Sequence, residues 1–317
     1  MKEEVVRQGR TESRPNKTPA LRFKNERTSL MNKAMPVILF LCAAVSILTT
    51  AGIVYTLFSE SFSFFKHIPI ADFFTQTRWN PLMEPKAFGI WPLLSGTLMI
   101  TVIACLVAIP IGLAAAIYLS EYAPSRVRQI VKPILEVLAG VPTIVYGYFA
   151  LTFMTPFLQN MIPSLPIFNA LSAGIVVGIM IIPMVSSLSE DAMMAVPKSL
   201  RQGAYALGAT KFEVALRIVL PAAFSGVVSA SVLAFSRAIG ETMIVTVAAG
   251  ATPKLTANPM ESIQTMTAYI VQVSLGDTQH GSVEYGSIFA VGATLFVITM
   301  LLNIAAKKLA KRFREEY

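Results

Sequence analysis

Charged residues are scarce in this chain: Asp, Glu, Lys and Arg supply 14% of its 317 residues, whereas soluble domains carry about 25%. Hydrophobic residues make up 54% of the chain, and the mean hydropathy is +0.62. A surface facing water is hard to build from so little charge. The composition therefore argues against a soluble protein and favours an all-α integral membrane protein.

Cysteine and histidine are scarce as well, with two of each. Cys42 and Cys105 both fall in uncharged stretches, so neither a disulfide framework nor a zinc pattern is present. His67 and His280 stand alone in polar segments. The sequence predicts no metal site and no catalytic residues. The apolar stretches contain no histidine, and their charged residues amount to one close pair, which is too few for a catalytic cluster.

Several uncharged runs are long enough to cross a bilayer, which takes about 20 apolar residues. The run over residues 137–189 is too long for one crossing and fits two, separated at the prolines Pro156, Pro163 and Pro166. The sequence therefore predicts six transmembrane helices. They lie in residues 34–59 (an uncleaved anchor), 87–120, 137–189 (two), 222–250 and 285–306.

Lys and Arg gather in alternate segments of the chain. They are frequent in the tail 1–33, after the second and fourth spans and at the C-terminal end, whereas the other loops carry Lys66, Arg78, Lys86 and Lys254. Such asymmetry places both termini in the cytoplasm. It also accounts for the net charge of +8 without a nucleic-acid partner.

We interpret residues 1–33 as a cytoplasmic basic tail and residues 34–317 as the transmembrane domain. The outside loop 251–284 is either a docking surface for an external partner or a plain connector.

Two local patterns predict how parts of the chain pack and fold. Gly174 and Gly178, four residues apart in the fourth span, predict a close approach to a neighbouring helix. In the cytoplasmic segment 197–221, Pro197 suits the first turn of a helix that stops at Gly208. A capping box, Thr210-x-x-Glu213, then starts a second helix that ends near Pro221. A capped helix–glycine–helix elbow indicates a rigid docking element.

The elbow contains Gln202-Gly203-Ala204-x3-Gly208-x9-Ile218-x-Leu220-Pro221. This spacing resembles the Glu-Ala-Ala-x3-Gly-x9-Ile-x-Leu-Pro signature of ABC importer permeases, from which Gln202 and Gly203 depart. The resemblance implies the type I ABC importer permease fold, with these seven residues docking a separate ATP-hydrolysing subunit. The segment 203–210 has P-loop glycine spacing but Ala209 where the lysine belongs. We therefore expect the partner, and not this chain, to use ATP and Mg²⁺.

Arg237 is the one Lys or Arg inside an apolar span. It lies about 22 Å along a helix that starts at Ala222, where a charge costs at least about 2.5 kcal/mol. Glu241 follows four residues later, which predicts the same helix face. The pair therefore either lines a pore or locks the fifth span to a neighbour. The arginine fork suits an oxyanion, and Glu241 can hold the guanidinium when the site is empty.

The segment Arg237-Ala-Ile-Gly-Glu241-Thr242 resembles the Arg-Ala-(Leu/Ile)-Gly-Glu-Thr motif of the phosphate-specific permeases of the PstC and PstA type. Segments 91–98, 139–147 and 181–183 extend the match over nearly all of 34–317, and the long tail with Trp79-Asn80-Pro81 favours the PstC type. The resemblance implies that Arg237, Glu241 and Thr242 serve phosphate passage. It also implies a PstA-type permease, a dimeric PstB-type ATPase and a PstS-type phosphate-binding protein as partners in a bacterial inner membrane.

Two other functions stay open at this point. One is import of another oxyanion, such as sulfate or molybdate, because the chemistry of arginine selects an anion without saying which. The other is a channel or secondary transporter that needs no ATPase, against which the long docking elbow argues.

Overall fold

The structure, a computed structural model, describes residues 26–312 and is helical through most of that range. The chain divides into two units, Met1–Ile53 and Val54–Tyr317. Most of the predicted cytoplasmic tail, residues 1–25, lies outside the described residues, as does 313–317. The first unit therefore contributes the beginning of the first helix, and the second unit contains the rest of the fold.

Helices form the framework of the protein, and three of them run into short π-helical turns. The first half consists of α1 (Glu26–His67), α2 (Ile70–Thr75), a two-stranded hairpin of β1 (Trp79–Asn80) and β2 (Ala87–Phe88), α3 (Trp91–Ile117) with a π turn at Tyr118–Tyr122, α4 (Ser125–Ala139), α5 (Thr143–Phe149) with a π turn at Ala150–Met154, and α6 (Thr155–Met161). The second half consists of α7 (Ala170–Met194), α8 (Lys198–Ala206), α9 (Lys211–Val214) with a π turn at Ala215–Val219, α10 (Leu220–Ala222), α11 (Phe224–Ile239), α12 (Met243–Ala248), α13 (Met266–Leu275) and α14 (Val283–Arg312).

Four helical stretches of the described chain are long and apolar enough to cross a membrane by themselves: Ala34–His67, Trp91–Tyr122, Ala170–Met194 and Val283–Ala306. Two further candidates are bent pairs, Ser125–Ala139 with Thr143–Met161 and Lys211–Ala222 with Phe224–Ile239, with bends of 88° and 73°. Counting each pair as one span gives the six predicted crossings. These helices confirm the all-α membrane fold that the long uncharged runs predict.

Two buried threonines of α3 form hydrogen bonds within their own helix, as a nonpolar surrounding favours. The hydroxyl of Thr97 donates to the Leu93 carbonyl at 2.8 Å, and that of Thr101 donates to the Thr97 carbonyl at 2.7 Å. Large apolar side chains such as Leu106 and Leu301 are exposed on these helices. Such a surface fits lipid or a neighbouring subunit, and not water.

The predicted close helix approach is confirmed between α7 and α3. A Cβ at Gly174 would come within 2.7 Å of the Ile103 side chain, and one at Gly178 would come within 2.9 Å of the Ala104 carbonyl oxygen. Gly112 on α3 makes the reciprocal contact, since its Cβ would lie 2.8 Å from Val185. The two helices therefore pack backbone to backbone along their length.

The boundary of the third span differs from the prediction. Pro156 lies in the first turn of α6, and the turn between the third and fourth spans contains Pro163 and Pro166. Proline is tolerated in a first helical turn because its missing N–H needs no partner there. The strong bend lies earlier, where Pro142 precedes α5.

The basic loop predicted after the second span is largely a helix, α4, attached to α7 by ion pairs. Arg128 Nε and Lys132 Nζ lie 2.5 and 3.0 Å from the carboxylate of Glu190, which is fully buried. Lys132 also pairs with Asp191. These ion pairs join α4 to α7.

The polar segment 251–284 is more than a connector, because it contains the apolar helix α13. Tyr269 and Met266 on this helix are fully buried. Tyr269 packs edge-on against Trp79 at 4.9 Å between ring centroids, and its hydroxyl lies 2.6 Å from Ser287 Oγ. The polar residues that flank α13 lower the average hydropathy of the segment, so the sequence analysis interpreted it as a loop.

Candidate functional site

The helix predicted to carry both Arg237 and Glu241 is interrupted between them. α11 ends at Ile239 with Gly240 as its C-cap, and α12 begins at Met243. Glycine costs about 1 kcal/mol in a helix interior, and the Glu241 side chain supplies a new helix start. The prediction that the two charged residues share one continuous helix face is therefore wrong.

Glu241 is 7% exposed and caps the start of α12. Its Oε1 accepts hydrogen bonds from the backbone N–H groups of Met243 at 3.1 Å and Ile244 at 3.3 Å. Its backbone carbonyl accepts a hydrogen bond from Thr267 Oγ1 at 2.7 Å. The carboxylate is thus fixed in place by the backbone, which holds its negative charge at the helix break.

Arg237 stands at the other side of the break, in the last turn of α11, and is exposed in this chain. Its Nη2 lies 3.7 Å from the sulfur of Met180 on α7. Within residues 26–312, the ion pairs found at 4.0 Å or less do not include Arg237. The guanidinium therefore forms no ion pair with Glu241 at that distance and has donors free for a ligand.

Arg237, Glu241 and Thr242 meet in one open cavity of about 360 Å³. The other lining residues are Thr143, Ser236 and Gly240. Thr242 Oγ1 donates to the Gly240 carbonyl at 3.1 Å, so its hydroxyl supports the bent backbone. The three predicted pathway residues are therefore together, although a helix break and not helical periodicity joins them.

Thr143 and Ser236 were given no site role from the sequence. Thr143 lies at the start of α5, and Ser236 Oγ donates at 2.7 Å to Asn303 Oδ1 on α14. The cavity therefore combines residues from α5, α11 and the break, with α14 supporting one of them. A signal was present at the break itself, because a glycine followed by Glu and Thr before an apolar run is typical of a helix stop and restart.

The chemistry of the cavity suits a transient anion. One guanidinium supplies up to five N–H donors in a fixed fork, and hydroxyl groups add weaker polar contacts. The buried carboxylate of Glu241 repels a bound anion and so weakens its binding. A site with one cation and one fixed anion can therefore bind an oxyanion weakly enough to release it.

The cytoplasmic elbow has the local structure that its sequence predicts. α8 ends at Ala206, and Gly208 follows with a φ of +85°. Two hydrogen bonds close a Schellman motif: Gly208 N donates to Tyr205 O at 3.0 Å and Ala209 N donates to Ala204 O at 3.1 Å. α9 then begins with the complete capping box of Thr210 and Glu213. The backbone N–H and the hydroxyl of Thr210 hold the pKa of Glu213 below its ordinary value.

The predicted docking residues divide into a buried and an accessible set. Ala204 is buried in an apolar cluster with Val214 and Val219, whereas Gln202 and Gly203 are exposed, with open space around Gly203. Ile218 and Leu220 are partly buried, and Gly208 and Pro221 are exposed. Sequence reasoning gave no docking role to the two most exposed apolar side chains of the elbow, Leu207 at 90% and Phe212 at 64%.

Comparison with known proteins gives matches over most of the chain. The family model of the binding-protein-dependent transport system inner membrane component matches residues 108–315. A probable ABC transporter permease protein, YqgH, of Bacillus subtilis is 36% identical over 76% of this chain and 78% of its own length. Phosphate transport system permease proteins PstC of Xylella fastidiosa and Mesorhizobium japonicum are 35% and 32% identical, covering 76% and 85% of this chain and 78% and 87% of their own lengths.

Solved structures with the same fold are also ABC importer permeases. A bacterial ABC transporter that imports the acidic polysaccharide alginate matches with a TM-score of 0.63 and 13% identity, over 92% of this chain and 100% of the other. An inward-facing MetNI methionine ABC transporter matches with a TM-score of 0.55 and 16% identity, over 71% of this chain and 98% of the other. At these identities the likeness shows the fold alone, which is the type I permease fold.

Proposed function

This chain belongs to the family of binding-protein-dependent transport system inner membrane components, and we propose that the cavity around Arg237 forms part of the route of phosphate across the membrane. The chain is a multi-pass permease subunit of an ABC importer and a transport component, not an enzyme. Phosphate as its substrate agrees with the PstC relatives, which cover most of its length.

The observation that carries the proposal is the placement of Arg237. A cation in an apolar span is retained where it faces a polar path, and here the guanidinium is exposed in a cavity with Glu241 and Thr242. It lies about 20 Å along α11 from Phe224. A lock to a neighbouring helix would need strong partners for the charges. Within residues 26–312, Arg237 has no ion pair at 4.0 Å or less, and its contact with α7 is to the weakly accepting sulfur of Met180.

The partners follow from the family at a coarse level. An ATPase and a substrate-binding protein act with a permease of this family. We assign the permease partner to the PstA type, the ATPase to the PstB type and the binding protein to the PstS type, with the elbow at 197–221 docking the ATPase. ATP and Mg²⁺ are used by that ATPase and not by this chain. Both termini face the cytoplasm.

Arg237→Gln tests the pathway. The substitution keeps hydrogen-bonding capacity but removes the charge that the anion meets. A charged hydrogen bond is worth about 1.5–3 kcal/mol, so phosphate uptake should fall at least about tenfold. Uptake of radiolabelled phosphate by proteoliposomes with the four-component complex, with and without ATP, gives the measurement, and co-purification of the subunits verifies assembly.

Arg126→Gln on α4 is the matched control. It also removes one exposed cation, but α4 contributes no residue to the lining of the cavity. Near-normal uptake by an assembled Arg237→Gln complex would reduce Arg237 to a structural role.

Competition by unlabelled anions tests the substrate in the same assay. Inhibition by sulfate instead of arsenate would contradict phosphate, and uptake that survives loss of the ATPase would contradict ATP-driven import.

A further inference from the structure

The guanidinium of Arg201 connects the docking elbow to two transmembrane elements. Arg201 lies on α8, and its Nη2 and Nε donate to Glu121 Oε1 at 3.0 and 3.2 Å. Nη1 donates to the Val196 carbonyl and Nη2 to the Met193 carbonyl, both at 2.7 Å. One side chain thus joins α8 to the π turn after α3 and to the C-terminal end of α7.

The connection is shielded from water. The side chains of Arg201 and Glu121 are 14% and 5% exposed, whereas most ion pairs at a protein surface are solvated and weak. The last carbonyls of a helix have no partner within the helix. Arg201 adds a second donor to the Met193 carbonyl, which also accepts from the Val196 N–H at 3.2 Å, and the charge of Arg201 is matched by Glu121.

The elements held by Arg201 lead toward the cavity. α3 and α7 pack backbone to backbone at Gly178, which resists sliding of one helix on the other. On α7, Met180 contacts the guanidinium of Arg237. Met180 precedes Met193 by thirteen residues, about 20 Å along a helix. A displacement of α8 therefore has a continuous mechanical route to the residue that we place in the phosphate pathway.

We propose that Arg201 is the positioning residue that couples movement of the ATPase-docking elbow to the transmembrane helices α3 and α7. The planar guanidinium binds one carboxylate and two carbonyls simultaneously, so α8, α3 and α7 move together as one body when the ATPase changes its shape. Without this residue the elbow still docks, through its exposed surface, but its motion is no longer passed on. The inference rests on the proposed docking of the ATPase at 197–221.

Two quantities test this role: the number of phosphate ions imported per ATP hydrolysed, and the stimulation of ATP hydrolysis by the phosphate-loaded binding protein. For an assembled Arg201→Gln complex in proteoliposomes, both should fall about tenfold, within the usual range for coupling between sites. Basal ATP hydrolysis and co-purification of the ATPase should stay at the wild-type level. A merely structural role would reduce assembly and all activities in proportion.

Conservative and reciprocal variants sharpen the test. Arg201→Lys retains the charge but lacks the fork, so it should restore only part of the coupling. Glu121→Gln removes the charge partner from the other side and should uncouple in the same way. Arg126→Gln, an exposed cation on α4, should leave both quantities unchanged.

The outcomes separate this inference from the proposed function. A wild-type complex that imports no phosphate contradicts the proposed function. Wild-type import together with an unchanged import-to-ATP ratio in Arg201→Gln contradicts the coupling role alone. If Arg201→Gln fails to assemble, Glu121→Gln decides: normal coupling in that variant overturns the inference, and loss of coupling supports it.

Discussion

The charges of Arg237 and Glu241 are treated differently by the fold. Glu241 is buried and its carboxylate is held by two backbone N–H groups, whereas the guanidinium of Arg237 is exposed in the cavity. A fixed anion beside a cation with free donors weakens the hold on a bound oxyanion. This arrangement favours passage over storage, as a transport pathway requires.

Glu241→Gln separates capping from charge. Glutamine presents the same carbonyl oxygen to the N–H groups of Met243 and Ile244, so α12 and the thermal stability of the complex should be preserved. Phosphate uptake should fall about tenfold, equal to about 1.4 kcal/mol, because Arg237 then meets the anion without a fixed opposing charge. Initial uptake rates and the unfolding temperature of the assembled complex supply the two readouts. Unchanged uptake would make Glu241 a helix cap and nothing more.

At the scale of elements, short capped pieces give the elbow its shape. Gly208 has a φ of +85° that side chains with a Cβ rarely adopt, and the Schellman hydrogen bonds at Tyr205 and Ala204 depend on it. The capping box at Thr210 then fixes the direction of α9. The elbow is therefore a set of constrained turns, which suits a part that must pass on force.

Gly208→Val should disrupt the elbow. A β-branched residue in that conformation costs about 1–3 kcal/mol, and the elbow would relax by breaking the Schellman motif. Less ATPase should then co-purify with the permease from detergent-solubilised membranes, while the level of permease in the membrane stays the same. Gly281→Val is the matched control, since Gly281 has a similar φ of +84° and open space around it but lies in the segment 251–284, outside the elbow. Wild-type recovery of the ATPase with Gly208→Val would show that docking does not need this turn.

At the scale of the whole molecule, the exposed surfaces are divided by chemistry. Apolar side chains cover the outside of the spans, as at Leu106 and Leu301. Arg237 cannot face lipid at low cost, yet it is exposed in this chain. We propose that a second permease closes the cavity from the other side, so that this chain supplies one wall of the path.

Orientation is a property of the whole chain and can be measured with a reporter enzyme that becomes active only where disulfides form. The distribution of Lys and Arg predicts that the enzyme fused after Tyr317 stays inactive in the cytoplasm. The same enzyme inserted after Lys254, in the predicted outside loop, should be active and serves as the control. Activity of the Tyr317 fusion would reverse the topology and place the elbow on the wrong side for an ATPase.

The sequence by itself determined the membrane class, the positions of the long spans, the elbow with its caps, and the identity of the charged residues in the fifth span. These features depend on local chemistry: hydropathy over about 20 residues, the missing N–H of proline, the φ freedom of Gly208 and the reach of a capping side chain. Each is encoded within a few turns of chain, so a single sequence is enough to predict it.

Only the tertiary structure decided which residues meet. Hydropathy averages over a window, so it could not detect the break at Gly240, and it misassigned α4 and α13, where polar residues such as Lys132 and Gln272 are paired in the fold. The contact of Arg201 with Glu121 joins residues 80 positions apart. Such pairings depend on how α3, α7 and α8 pack, and close packing is a property of the assembled helices that no local pattern contains.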